Sequence, residues 1–170
     1  MRNAFVASSA RCIQKARMTK ALELMPGDVA LGRQGDRLKT LLGSCISVIL
    51  TDPRRTVGAM CHIVHVGNPN AANQHNTAYG IVAMDEMFHR LQSVGITPQQ
   101  CVAYVHGGGN MFPNIWNRHH VGATNAKWVL HFLEEHQINV VEKDVGGNVY
   151  RKVSWTVGLD RPHVDAEKSE

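Results

Sequence analysis

Residues 41–66 read LLGSCISVILTDPRRTVGAMCHIVHV and carry Cys45, Cys61, His62 and His65. A thiol with a pKa near its usual value of about 8.5 is only slightly ionised at neutral pH, so a cysteine nucleophile needs a base beside it. An imidazole is the natural choice. The runs CISVIL and VGAMCHIVHV are rich in β-branched residues, and TDPRRT between them is a proline-containing turn, so the segment reads as an antiparallel hairpin. A turn centred between Pro53 and Arg54 sets Cys45 opposite His62 and Ile46 opposite Cys61. Opposed residues share a face with Cβ atoms roughly 4.5–5.5 Å apart. Cys61 adjoins His62 on one strand and points the other way, toward Ile46, Val48, Val57 and Ala59. It is expected to be inert core. A bulge would shift the register by one and exchange the two assignments. Gly43 and Ser44 precede the thiol; the glycine permits a tight turn, and amides near Ser44 and Cys45 could face a developing oxyanion.

Metal chemistry finds little support. His62 and His65 lie three apart on a strand and face opposite sides, and no carboxylate or thiolate cluster completes a zinc shell. His119–His120 and the His131/His136 pair are read as surface residues, and Trp116, Trp128 and Trp155 as core or rim. Asp144 is read as a turn cap without a catalytic role. No cofactor and no metal are expected. HGGGN, residues 106–110, looks like a lipase oxyanion loop, yet the chain has no GxSxG elbow.

The surrounding chain must hold the thiol and imidazole in place. It has 170 residues, 44% hydrophobic and 19% charged, which suits one globular domain. The four cysteines lack framework or CxxC spacing and read as thiols in a reducing cytoplasm. The net charge of +4 is uneven, with Arg2, Arg11, Lys15, Arg17 and Lys20 all preceding the first acid, Glu23. Residues 1–22 read as a flexible basic tail, too polar at NAFVASSA for a secretory leader. Acids and bases are interspersed beyond it, so no nucleic-acid partner is expected. No run approaches the 18 or so apolar residues of a membrane span, so no membrane insertion is expected. Short strands are expected after a turn within 25–33, over CISVIL (45–50) and VGAMCHIVHV (57–66), at the start of CVAYVHGGGN (101–110) before its glycine loop, and on both sides of a glycine turn at 146–147. Helices are expected over AYGIVAMDEMFHRLQSVG, closed by Gly95, and over GATNAKWVLHFLEEHQI, capped by Thr124 or Asn125. The fold class is α+β, with a polar, frayed tail over 158–170.

TLLGSC, VGAMCH, AYGIVAMDEMFHRL, HGGGNMF, VGATNAKWVLHFL and DVGGNVYRKVSW together make the chain resemble the CheD family, the chemoreceptor glutamine deamidases. The resemblance spans residues 23–157. It implies an α/β sandwich of mixed sheets with flanking helices, similar to the catalytic domain of cytotoxic necrotizing toxins. It implies Cys45 as nucleophile, His62 as base and Thr40 as the group orienting the imidazole. Some relatives place that threonine one residue earlier, where this chain has Lys39. Gly43, Ser44, His106 and Asn110 become candidates for substrate or oxyanion contacts, although the HGGGN glycines also fit a plain strand-to-loop turn. The implied reaction converts glutamine side chains on methyl-accepting receptor helices to glutamate and ammonia. A CheC-type phosphatase is an implied partner. A non-catalytic receptor-docking module and a methylesterase are the competing functions. Retention of thiol, imidazole and hydroxyl together favours the enzyme.

Overall fold

Two sheets and two helices are stacked so that one sheet lies in the middle. The computed structural model describes residues 17–114, 120–158 and 161–169; Cys12, Trp116, His119 and most of the basic tail fall outside them. A four-stranded sheet has the order β1 (Ala21–Leu24), β3 (Arg37–Leu42), β8 (Val149–Thr156), β9 (His163–Lys168). The five-stranded sheet runs β2 (Val29–Arg33), β5 (Val57–Ile63), β4 (Ile46–Thr51), β6 (Val102–Gly107), β7 (Asn139–Val145). Helices α1 (Gly80–Ser93) and α2 (Val121–Glu135) cover its far face. The α+β reading holds. No helix among the described residues is long and apolar enough to cross a membrane.

The middle sheet is buried on both sides, and β4 and β5 are buried at every position. Side chains alternate between faces, so each strand feeds two cores. Ile46, Val48, Ala59 and Cys61 meet Met84 and Met87 of α1 and Val129 of α2. Ile49, Met60 and Tyr104 on the opposite face meet Leu38, Leu42 and Trp155 of the four-stranded sheet. Full burial of each large apolar side chain contributes about 1.5–3 kcal/mol, which makes these two layers the main stabilising term.

The hairpin forms with a different register from the one expected. Ser47 pairs with His62, Val48 with Cys61 and Leu50 with Ala59. The cause is a longer turn built around Asp52. Its carboxylate accepts from the Thr56 and Val57 amides at 2.8 and 2.9 Å and from the Thr56 hydroxyl at 2.8 Å. Arg55 completes the turn in the left-handed region, φ 54°. Partners move by two positions, an even number, so every face assignment survives. Cys61 is core, fully buried.

Three other expectations are corrected. Thr124 and Asn125 are not caps, because α2 starts at Val121 and both lie inside it. The polar tail after residue 158 is not wholly frayed: its segment HVDAEK forms β9, an edge strand paired with β8 and carrying a Lys152–Glu167 ion pair. Its outward charges suit an edge and hide the strand from any alternation test. At the other end, order begins before residue 22. β1 starts at Ala21, and Arg17 pairs with Asp36.

Candidate active site

Gly43, Ser44 and Cys45 are the crossing between the two sheets, joining the end of β3 to the start of β4. All three carbonyls of this crossing are held. The Gly109 amide donates to Gly43 O at 2.8 Å and the Gly108 amide to Cys45 O at 2.8 Å. The Asn125 side chain donates to Ser44 O at 3.0 Å and to Val64 O at 3.2 Å. A trans peptide sets N–H and C=O on opposite sides. The amides of Ser44 and Cys45 therefore point away from Gly109 and Asn125.

This packing accounts for the glycine run. Gly107 has φ 113°, and a Cβ there would collide with the Cys45 carbonyl oxygen. Likewise, a Cβ on Gly122, in the first turn of α2, would strike the Gly108 carbonyl. The two backbones meet only because neither carries a side chain there.

His62 stands opposite Ser47 on the face toward the four-stranded sheet, and Cys45, two residues before Ser47, extends along that face. Cys45 is half-buried against the inter-sheet core. Thr40 arrives from that opposite sheet, with Oγ1 2.8 Å from His62 Nδ1. The same hydroxyl donates to Leu24 O at 2.8 Å. A hydroxyl has one proton to give, so the Thr40 oxygen accepts from His62, and Nδ1 carries the hydrogen. Nε2 is left with its lone pair, buried and without a hydrogen-bond partner among the described residues.

Burial pushes the Cys45 thiol up and pushes His62 down; the Leu24 carbonyl and the Asp28 carboxylate only partly offset the second shift. Both directions favour a neutral thiol and a neutral imidazole in the resting protein. Cys61, by contrast, is driven to about 12 by burial.

The remaining candidates separate. His106 is 0% exposed and lies under the surface, so it does not line a cleft as expected. Asn110 is half-buried; its amide donates to Gly147 O at 2.8 Å, and its Oδ1 accepts from the Phe112 amide at 3.2 Å, closing its own turn. Asp144 accepts from Arg151 at 2.8 Å, tying the two sheets together. Sequence reasoning missed Ser47 and Arg151. Ser47 was within reach, because it follows Cys45 by two and must share its face.

A family model described as CheD chemotactic sensory transduction matches residues 65–160, beginning C-terminal to Thr40, Cys45 and His62. "Probable chemoreceptor glutamine deamidase CheD 2" of Albidiferax ferrireducens is 33% identical over 138 residues, 79% of this chain and 80% of the relative. "Probable chemoreceptor glutamine deamidase CheD" of Pseudomonas fluorescens is 28% identical over 81% of this chain and 79% of its own. Its namesake from Methanococcus maripaludis is 27% identical over 80% and 88%. Among solved structures, Bacillus licheniformis hypothetical protein YfiH aligns with TM-score 0.39 and 13% identity over 69% of this chain and 50% of that one, and this slight likeness carries no argument.

Proposed function

Because the chain belongs to the CheD family of chemotactic sensory transduction proteins, we propose that it is a chemoreceptor glutamine deamidase working through Cys45, His62 and Thr40. The observation that carries this reading is the Thr40–His62 hydrogen bond between sheets, 2.8 Å long, which fixes the tautomer with Nε2 free to take a proton. An orienting group that settles which ring nitrogen is basic is the third member of any such triad.

The Cys45 sulfur attacks the side-chain carbonyl carbon of a receptor glutamine as its proton passes to His62 Nε2. The oxyanion is stabilised by the outward amides of the Gly43–Cys45 crossing. His62 then gives that proton to the departing nitrogen, the C–N bond breaks and ammonia leaves a thioester on Cys45. Water attacks the thioester with His62 as base; the C–S bond breaks, the proton returns to sulfur and a glutamate is released. Since the resting pair is neutral, attack and proton transfer are concerted. The substrate lies on the cytoplasmic helices of methyl-accepting receptors, so the protein acts on that side of the membrane. Each turnover adds one carboxylate that can later be methylated.

Incubation of a receptor cytoplasmic fragment with the protein should convert individual glutamines to glutamates, read as the small mass gain of amide-to-acid exchange. Cys45→Ala should leave the fragment unmodified; equal conversion by that variant rules out the mechanism.

A further inference from the structure

Alternation puts more than a thiol and an imidazole on the inner face of the middle sheet. Ser47 on β4 stands opposite His62 on β5 and, across its other edge, opposite His106 on β6. The three side chains form one row over adjacent strands and are 0%, 3% and 0% exposed in that order. Neighbouring strands lie roughly 4.8 Å apart, so the two imidazoles are rooted roughly 10 Å from each other. Only a serine hydroxymethyl stands between them along the row. Thr40 closes one end from the opposite sheet. Arg151 covers the other, with Nη2 2.8 Å from Asp144 Oδ1 and Nη1 3.5 Å from Gly107 O.

Among the described residues, every buried side-chain nitrogen or oxygen without a hydrogen-bond partner belongs to this row and its roof: Ser47 Oγ, His62 Nε2, both ring nitrogens of His106 and Arg151 Nε. Buried polar groups are nearly always paired, so a cluster of orphans signals a shared ligand. Their capacities are complementary. Arg151 Nε–H donates, His62 Nε2 accepts, the Ser47 hydroxyl does both, and a neutral His106, whose Nε2 faces Glu142 Oε1 at 3.6 Å, accepts at Nδ1. Water, with two donors and two acceptors, matches that set, and internal waters typically make about three such bonds.

We propose that Ser47, His62, His106 and Arg151 form an internal water site, and that the water held there donates to His62 Nε2, making Ser47 and His106 positioning residues for the base. His106 stays neutral in the row. Burial lowers it most, Glu142 (Oε1 at 3.6 Å) and Asp144 from β7 pull it up, and Arg151 from β8 pulls it down again. A donor on the Nε2 lone pair favours the unprotonated ring, so the water keeps His62 neutral until the Cys45 thiol takes its place as donor. That catalytic consequence rests on the deamidase reading; the hydration site itself does not.

Ring nitrogen-15 NMR of the Cys45→Ala protein tests the site, with the thiol removed as a competing donor. The His62 Nε2 resonance should sit upfield, where an unprotonated nitrogen that accepts a hydrogen bond appears. Ser47→Ala and His106→Phe should each move it downfield, and His106→Gln, which keeps a donor and an acceptor, should hold it. A free-lone-pair resonance in the parent protein overturns the site without needing any further variant to fold. Movement with Ser47→Ala but not with His106→Phe means that the serine donates directly, and the water is refuted. With Cys45 intact, Ser47→Ala should raise the acid limb of kcat/KM by about half a pH unit; an unmoved limb removes the positioning role. If Cys45→Ala still deamidates, the functional reading falls while the ring nitrogen continues to report on the water.

Discussion

The two faces of the middle sheet are made by the same strands yet are opposite in kind. On the helix side, β4, β5 and β6 present Ile46, Val48, Cys61, Ile63, Ala103 and Val105 to an apolar layer. On the other side they present Ser47, His62 and His106 beside Ile49, Met60 and Tyr104. Both faces are buried, so burial alone does not make a site. The second sheet contributes polar side-chain partners, Thr40 and Arg151, to its face, whereas the helix layer's Asn125 bonds only backbone carbonyls at the crossing. The contrast is clearest in the cysteines. Cys61 and Cys45 lie on the same hairpin, but one is sealed on the apolar face and the other sits half-buried at the crossing.

The largest effect expected from breaking this contrast is in turnover. Cys45→Ala should lower deamidation at least about 10⁴-fold, as loss of a nucleophile does. Cys61→Ala should keep the activity and cost about 1–2 kcal/mol of stability by leaving a small cavity, seen in denaturant unfolding. Loss of activity in the second variant alone would reverse the roles of the faces.

Thr40→Val keeps the shape but leaves the Leu24 carbonyl and His62 Nδ1 unpaired. A drop of about 10²-fold or more in kcat should follow as the ring loses its tautomer, with about 1–3 kcal/mol lost from stability. Full activity at reduced stability would make Thr40 a structural residue only.

Alkylation compares the thiols directly. Iodoacetamide should label Cys45 at least about tenfold faster than Cys61 or Cys101, both pushed to about 12 by burial and reachable only through local opening. Peptide mapping over time reads the order; equal rates would mean that Cys45 is as closed as the core.

The smallest effect is in pH. His62 is lowered from 6.5, so its neutral form persists below that value and the acid limb of kcat/KM should lie beneath pH 6.5. By linkage, the unfolded chain takes up this proton first, so the stability associated with His62 is present above pH 6.5 and falls as the pH drops below it. An acid limb above 6.5 would show the ring favouring its charged form.

Legibility in the sequence followed locality. The shared face of Cys45 and His62 could be read because period-two alternation is local, and it survived a register displaced by the Asp52 turn. Thr40 stands on another sheet, with no periodic tie to His62, and only the family resemblance pointed to it. Asn125 reads as a helix cap because its residue type caps helices; its actual role, bonding Ser44 and Val64, depends on where α2 packs. His106 beside three glycines suggests an open loop, whereas alternation along β6 turns it inward. β7 and β8 flank one glycine turn like a hairpin yet belong to different sheets, which no local pattern reveals.

The carbonyls around the thiol are moored by residues made long after it, Asn125 coming 81 positions after Ser44. A chain leaving the ribosome therefore displays its sulfur well before the backbone around it is set, and the geometry of the proposed site arrives only with the later half. A proteolytic fragment ending ahead of α2 would carry the whole proposed triad and is expected to be idle.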